Sequence, residues 1–149
     1  MTAAIDLTHM QRAMGLAASQ SGRTGKNPAV GCVIIGADGT KLSEGATGDG
    51  GSNHAEALAL SALSKGSAKG GTAYVTLEPC RERSAGGSSC SELLLQAGIV
   101  RLVCAIADPH PNGAGGFDRL REAGVAVEVG LLEQEAAAMY ADFFATTNN

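Results

Sequence analysis

Tryptophan is missing from this chain, and Tyr and Phe together supply only five of its 149 residues. So few rings leave little surface on which unstacked bases could lie. Positive charge is also scarce: eleven Lys and Arg stand against fifteen Asp and Glu, for a net charge of −4. A general nucleic-acid binder carries a basic stripe to neutralise phosphates, so no nucleic-acid partner is expected. No stretch approaches the ~20 consecutive apolar residues of a membrane span. The opening MTAAIDLTHM has neither the basic region nor the apolar core of a secretory leader. The expectation is a cytoplasmic protein with no membrane partner. Thiols stay reduced in that compartment, which counts against a persistent disulfide among the four cysteines.

Glycine is abundant, at 21 residues, but follows no period that would mark a collagen-like or low-complexity chain. The length suits one domain able to bury its own core, and no repeat or linker divides it, so residues 1–149 are read as a single domain.

Thr8 and Gln11 have the spacing of a capping box, and Met10, Ala13, Met14 and Ala17 follow at helical intervals with Gly22 beyond. A first helix starting at Thr8 is expected, its methionines packed in the core and His9 exposed. Ala29–Ile35 is a short apolar run rich in β-branched residues, Asp38-Gly39 marks a turn, and Lys41–Ala46 returns as an antiparallel partner. Helices then follow at His54–Leu63, Ser91–Ala97, Phe117–Ala123 and Leu132–Phe144, alternating with strands at Thr72–Leu77, Arg101–Ala107 and Val125–Val129. That alternation predicts an α/β fold: a three-layer α/β/α sandwich around a five-stranded mixed sheet, mostly parallel after an initial hairpin. Ligands of such sheets gather beyond the strand ends. Asn53-His54, Glu78-Pro79-Cys80 and Asp108-Pro109-His110 all follow strands. Cys32 and Cys104 fall within apolar strands and are read as core residues.

His54-Ala55-Glu56 opens a helix, Glu78-Pro79-Cys80 closes a strand, and Cys90 precedes the next helix. One imidazole and two thiolates are a zinc ligand set that keeps a fourth position for water. Zinc lowers the pKa of such a water, and an unligated carboxylate beside it, here Glu56, can take the proton and pass it to a departing amine. Nine residues separate Cys80 from Cys90, so the spacing alone is weak evidence. Closure entropy rises only slowly with loop length and does not forbid a shared ion. A redox pair and two unrelated structural thiols are the competing readings; the reducing compartment and the HAE triplet favour zinc.

The H-x-E then P-C order matches the zinc deaminases. From Met10 to Phe144 the chain resembles the cytidine-deaminase superfamily, and within it the deaminase domain of the riboflavin-biosynthesis pyrimidine deaminase/reductase. The resemblance is carried by Thr24-Gly25-Lys26-Asn27-Pro28-Ala29-Val30-Gly31-Cys32, His54-Ala55-Glu56, Ala73 to Cys80 (AYVTLEPC), Gln96 to Arg101 (QAGIVR), Asp108-Pro109-His110-Pro111 and Gly130 to Glu133 (GLLE). It implies a superfamily α/β/α fold and zinc-dependent hydrolytic deamination of the diamino-ribosylamino-pyrimidinone 5′-phosphate of riboflavin synthesis. It implies His54, Cys80 and Cys90 as metal ligands, Glu56 as proton shuttle, Asn27 as a pyrimidine contact and Asp108 as a ribose contact. It further implies a homodimer or homotetramer. No reductase domain is read in the chain, so a separately encoded reductase is an expected partner. Four departures from the family pattern stand out: the loop Arg81 to Ser89 is one residue longer, Thr47 and His110 replace a histidine and an asparagine, and Lys26 replaces a proline. Arg81 and Arg83 are read as a candidate phosphate grip, with a solvated loop as the alternative. The rival functions are deamination of another nucleobase or nucleoside (guanine, cytosine or adenosine type) and a catalytically silent zinc-binding partner module.

Overall fold

In the computed structural model, residues 3–81, 88–111 and 114–145 are described. Helix α1 (Ala3–Ser19) leads into strands β1 (Gly31–Ile35) and β2 (Lys41–Ala46). Then follow α2 (Ala55–Ser61), β3 (Thr72–Leu77), α3 (Cys90–Gln96), β4 (Arg101–Ile106), α4 (Gly116–Glu122), β5 (Ala126–Val129), α5 (Glu133–Met139) and α6 (Ala141–Ala145). The strands form one sheet in the order β2-β1-β3-β4-β5. β1 is antiparallel to both β2 and β3, whereas β3, β4 and β5 run parallel.

The two faces of the sheet are distinguished by which side chains, or which missing ones, meet each helix. Successive strand residues point to opposite faces. A Cβ on Gly31 would lie 1.9 Å from the Ala13 carbonyl oxygen of α1, and one on Gly45 would lie 2.7 Å from that of Ala55 in α2. Gly45 pairs with Cys32, the neighbour of Gly31, so α1 and α2 cover opposite faces. α2, α3 and α4 pack side by side on one face; α5 joins α1 on the other, where Tyr140 at its end reaches Thr76. β1 and β3 are wholly buried, and Met10, Ala13, Ala17, Val33, Ile35 and Tyr74 fill the space beneath α1. Cys32 and Cys104 are buried core residues, as expected. The expected three-layer architecture is present.

Four expectations are corrected. Helix α1 does not begin at Thr8: that residue lies inside the helix and its hydroxyl donates back to the Ala4 carbonyl at 3.0 Å. The extra turn is anchored by Asp6, whose carboxylate accepts from the Tyr74 hydroxyl (2.6 Å) and from the Arg101 guanidinium (2.7 and 3.0 Å). His9 is half-buried against the Tyr74 ring, with ring centroids 5.0 Å apart. The sheet is half antiparallel rather than mostly parallel, because β1 is inserted between β2 and β3 with reversed direction. The last helix is broken: Tyr140 leaves helical geometry (φ −100°, ψ 10°) and divides it into α5 and α6.

Candidate active site

The direction of β1 brings the candidate residues together. Because β1 opposes β2, β3 and β4, its amino end and their carboxyl ends share one edge of the sheet. The segment entering β1 carries Asn27, and the segments leaving β2, β3 and β4 carry His54, Cys80, and Asp108 with His110.

His54 caps α2 in extended geometry, and Cys90 is the first residue of α3. Ser89 starts α3 by accepting the Glu92 N–H at 3.2 Å, a cap that leaves neighbouring amides free to turn inward. The Cys90 N–H then donates to Cys80 Sγ at 3.2 Å, and the Ser91 N–H donates to the Cys80 carbonyl at 3.1 Å. The nine-residue loop between the cysteines is thereby closed at its base. His54 Nδ1 lies 3.1 Å from Cys90 Sγ and 4.0 Å from Cys80 Sγ, and all three donor atoms fall within 4.8 Å of one another. Tetrahedral zinc with Zn–S of ~2.3 Å and Zn–N of ~2.0 Å separates its donors by roughly 3.5–3.8 Å, which these distances bracket. The donor set fits zinc. Hydrogen bonding from Cys90 and then His54 pulls the Cys80 thiol down to about 4, so the ligand form is favoured before any ion is present.

Glu56 follows His54 by two residues, is 3% exposed, and interacts with the charges of both Cys80 and His54. Burial pushes its carboxyl up to about 7, and the charge on Cys80 adds to that push. A carboxyl held near neutrality can accept and return a proton at working pH.

Asn27 is exposed and its amide donates to the Gly51 carbonyl at 2.8 Å, joining the segment before β1 to the one that delivers His54. Asp108 is buried, which raises its carboxyl pKa, and it lies close enough to Cys80 to be influenced by that charge. His110 is buried too: its N–H donates to Asp108 Oδ1 at 2.9 Å and its Nδ1 lies 3.1 Å from the same oxygen. The His110 ring stands edge-on to Phe143 of α6 at 4.5 Å, so it is not an exposed loop residue. Arg81 is exposed and reaches the Gly115 carbonyl at 3.3 Å, while Arg83 lies outside the described residues. Thr47 is buried and uses its hydroxyl to accept the Val30 N–H at 2.9 Å, a structural bond in place of an imidazole. Glu78 was not singled out by its sequence position, yet its buried carboxylate accepts three backbone N–H groups.

A family model described as the cytidine and deoxycytidylate deaminase zinc-binding region matches residues 4–106. The chain belongs to this deaminase family. Its metal is zinc, and among the described residues the one set able to hold it is His54, Cys80 and Cys90. Within the family the chain is 40% identical over 141 residues to the riboflavin biosynthesis protein RibD of Aquifex aeolicus, covering 94% of this chain and 39% of that one. It is 39% identical to the diaminohydroxyphosphoribosylamino-pyrimidine deaminase of Buchnera aphidicola (strain APS), covering 93% of both. The chain thus spans about two-fifths of the length of the RibD relatives and nearly all of the Buchnera one. Among solved structures it is similar to a diaminohydroxyphosphoribosylaminopyrimidine deaminase/5-amino-6-(5-phosphoribosylamino)uracil reductase from Thermotoga maritima, with TM-score 0.87 and 33% identity over 94% of this chain and 40% of that one. That likeness fixes the family's fold for the five-stranded sandwich described above. Among the described residues no helix is long and apolar enough to cross a membrane.

Proposed function

We propose that this chain is a zinc-dependent hydrolytic deaminase of the diamino-ribosylamino-pyrimidinone 5′-phosphate of riboflavin biosynthesis. The observation that carries the chemistry is the placement of Glu56: a buried carboxyl two residues after His54, beside a His–Cys–Cys donor set of which it is not a member. His54, Cys80 and Cys90 would hold the zinc, which when bound would supply Lewis acidity and make a water more acidic. Glu56 takes a proton from the water that attacks the amine-bearing ring carbon and passes it to the adjacent ring nitrogen, then takes the remaining hydroxyl proton and delivers it to the departing amine. A C–O bond forms, a C–N bond breaks, and the products are a ring carbonyl and ammonia.

The substrate class is supported by the Buchnera and Thermotoga proteins, whose names carry this pyrimidine and whose chains align over nearly all of this one. In this reading Asn27 holds the pyrimidine, Asp108 with His110 grips the ribose, and Arg81 and Arg83 meet the phosphate. The setting is cytoplasmic, the assembly homo-oligomeric, and a reductase, separately encoded or not, consumes the product. Multi-angle light scattering checks the assembly.

Ammonia release across a panel of phosphorylated and unphosphorylated aminopyrimidines, cytidine and guanine tests the function. Turnover is expected with the phosphoribosylated pyrimidine and should fall at least about 100-fold in Glu56→Gln, with about one zinc per chain retained. Wild-type turnover in that variant would overturn the proton role. Preference for guanine or cytidine would overturn the substrate. An unchanged KM on replacing Arg81 and Arg83 by Ala would remove the phosphate grip.

A further inference from the structure

Glu78 sits at the end of β3, two residues before Cys80, and is 8% exposed. Its own N–H continues the β3–β4 pairing by donating to the Ile106 carbonyl at 3.0 Å. One carboxylate oxygen, Oε1, accepts the Asp108 N–H at 3.0 Å; the other, Oε2, accepts the Gly115 N–H at 3.1 Å and the Phe117 N–H at 3.2 Å. Three donors from the β4 exit and the start of α4 therefore converge on a group 30 to 39 residues earlier in the chain. The same junction is closed sterically. A Cβ on Gly116 would lie 1.7 Å from the Pro79 carbonyl oxygen, so α4 touches the segment between Glu78 and Cys80 backbone to backbone. The loop beyond Asp108 then returns its carboxylate to the His110 N–H.

We propose that Glu78 is a positioning residue whose carboxylate holds the loop bearing Asp108 in register with the segment bearing Cys80. It sets the separation between the end of the site that grips substrate and the end that holds the metal. The proposal rests on the deaminase reading above, in which Asp108 contacts the ribose. Charge-assisted bonds to backbone N–H groups are stronger than neutral ones, and a carboxylate can accept all three at once without a donor of its own. Glutamine keeps the volume but turns an NH₂ toward one of the three N–H donors, leaving that amide without an acceptor. Metal retention should survive the change, because Cys80 is held independently by the Cys90 and Ser91 N–H groups. A loosened grip on a non-reacting part of the substrate raises KM more than it lowers kcat.

The test uses the full zinc-loaded chain and Glu78→Gln, with Glu78→Asp as the second variant should the first not fold. Amide hydrogen exchange, read residue by residue, is expected to quicken at Asp108, Gly115 and Phe117 while zinc stays at about one per chain. KM for the phosphoribosylated pyrimidine should rise by about tenfold with kcat changed by less than about threefold, and in an Asp108→Asn background the same change should add nothing further. Unchanged exchange at the three amides, an unchanged KM, or a KM effect that adds in full to that of Asp108→Asn would each overturn the proposal. If the wild-type protein turns over no such pyrimidine, it is the functional reading that fails, and the exchange measurement still decides the role of Glu78.

Discussion

Tyr140 offers the sharpest test of what holds the edge of the sheet together. Its hydroxyl donates to the Ala29 carbonyl at 2.7 Å and lies 2.7 Å from Thr76 Oγ1, which in turn accepts the Gly31 N–H at 3.1 Å. With the tyrosine proton committed to Ala29, the Thr76 hydroxyl is the donor of the middle bond. A relay of three bonds therefore runs from β1 through β3 to the α5–α6 junction and back to Ala29, two residues before β1. Thr76 is 0% and Tyr140 2% exposed, so water does not reach the Thr76 hydroxyl to replace a lost partner. Tyr140→Phe removes two hydrogen bonds and leaves the Thr76 O–H and Ala29 C=O facing an apolar ring. Two bonds at about 1 kcal/mol each, plus part of the penalty for unsatisfied groups, give a loss of about 2–4 kcal/mol. Urea unfolding of the zinc-loaded protein should show that loss as a lower midpoint at unchanged slope. Thr76→Val breaks the same relay, so the double variant should cost about 1 kcal/mol less than the sum of the single ones. A Tyr140→Phe cost below about 0.5 kcal/mol, or costs that sum without coupling, would refute the relay.

Gly116→Ala forces a Cβ to within 1.7 Å of the Pro79 oxygen, and Gly31→Ala one to within 1.9 Å of the Ala13 oxygen; both contacts are with backbone. Each substitution should cost more than about 3 kcal/mol or prevent folding, read by circular dichroism and soluble yield, whereas Gly15→Ala, which meets nothing, should be neutral or stabilising. The Asp6 carboxyl is held below its usual 3.8 chiefly by the Arg101 guanidinium, against the opposing effect of burial. Its folded pKa is depressed, so its stabilisation is complete above about pH 4 and lost as pH falls through the lower folded value. Asp6→Asn should accordingly lower Tm at pH 7, and the gap to wild type should narrow as pH falls below the ordinary 3.8, measured by thermal melts from neutral to acid pH.

Where local chemistry determined an element, the sequence was enough to read it. β2 and β3 fall on the expected residues because turn chemistry at Asp38-Gly39 and the glycines before Thr72 mark where each begins. The convergence of His54, Cys80 and Cys90 was legible because few residue types can hold zinc, and the chain has only three His and four Cys. The antiparallel pairing of β1 with β2 was legible, but its place beside β3 was not. A strand buried on both faces has no alternation to betray its neighbours, so its pairing with β3 had to come from the structure. Nor was the start of α1: Asp6 stabilises that turn through Arg101, 95 residues away, and no local signal announces such a partner. The break at Tyr140 is hidden within an alanine-rich run of good helix formers, because it is the buried hydroxyl bonds of Tyr140 that accompany it. Glu78 was invisible for a similar reason, since its three partners are backbone groups, which carry no residue identity.

The reversed strand β1 also bears on the order in which the molecule assembles. Its two hydrogen-bonded neighbours are separated from one another in sequence by α2, and β4 joins only across α3, so no short stretch of chain contains the whole edge. His54, Cys80 and Cys90 acquire their spacing only when β2, β3 and the first turn of α3 have met. Contacts of such sequence separation form late and slowly. The appearance of a stoichiometric tetrahedral centre during refolding, followed by the absorption of substituted cobalt, would therefore serve as a clock for completion of the sheet. Peptides excised around HAE or EPC alone should not reproduce it.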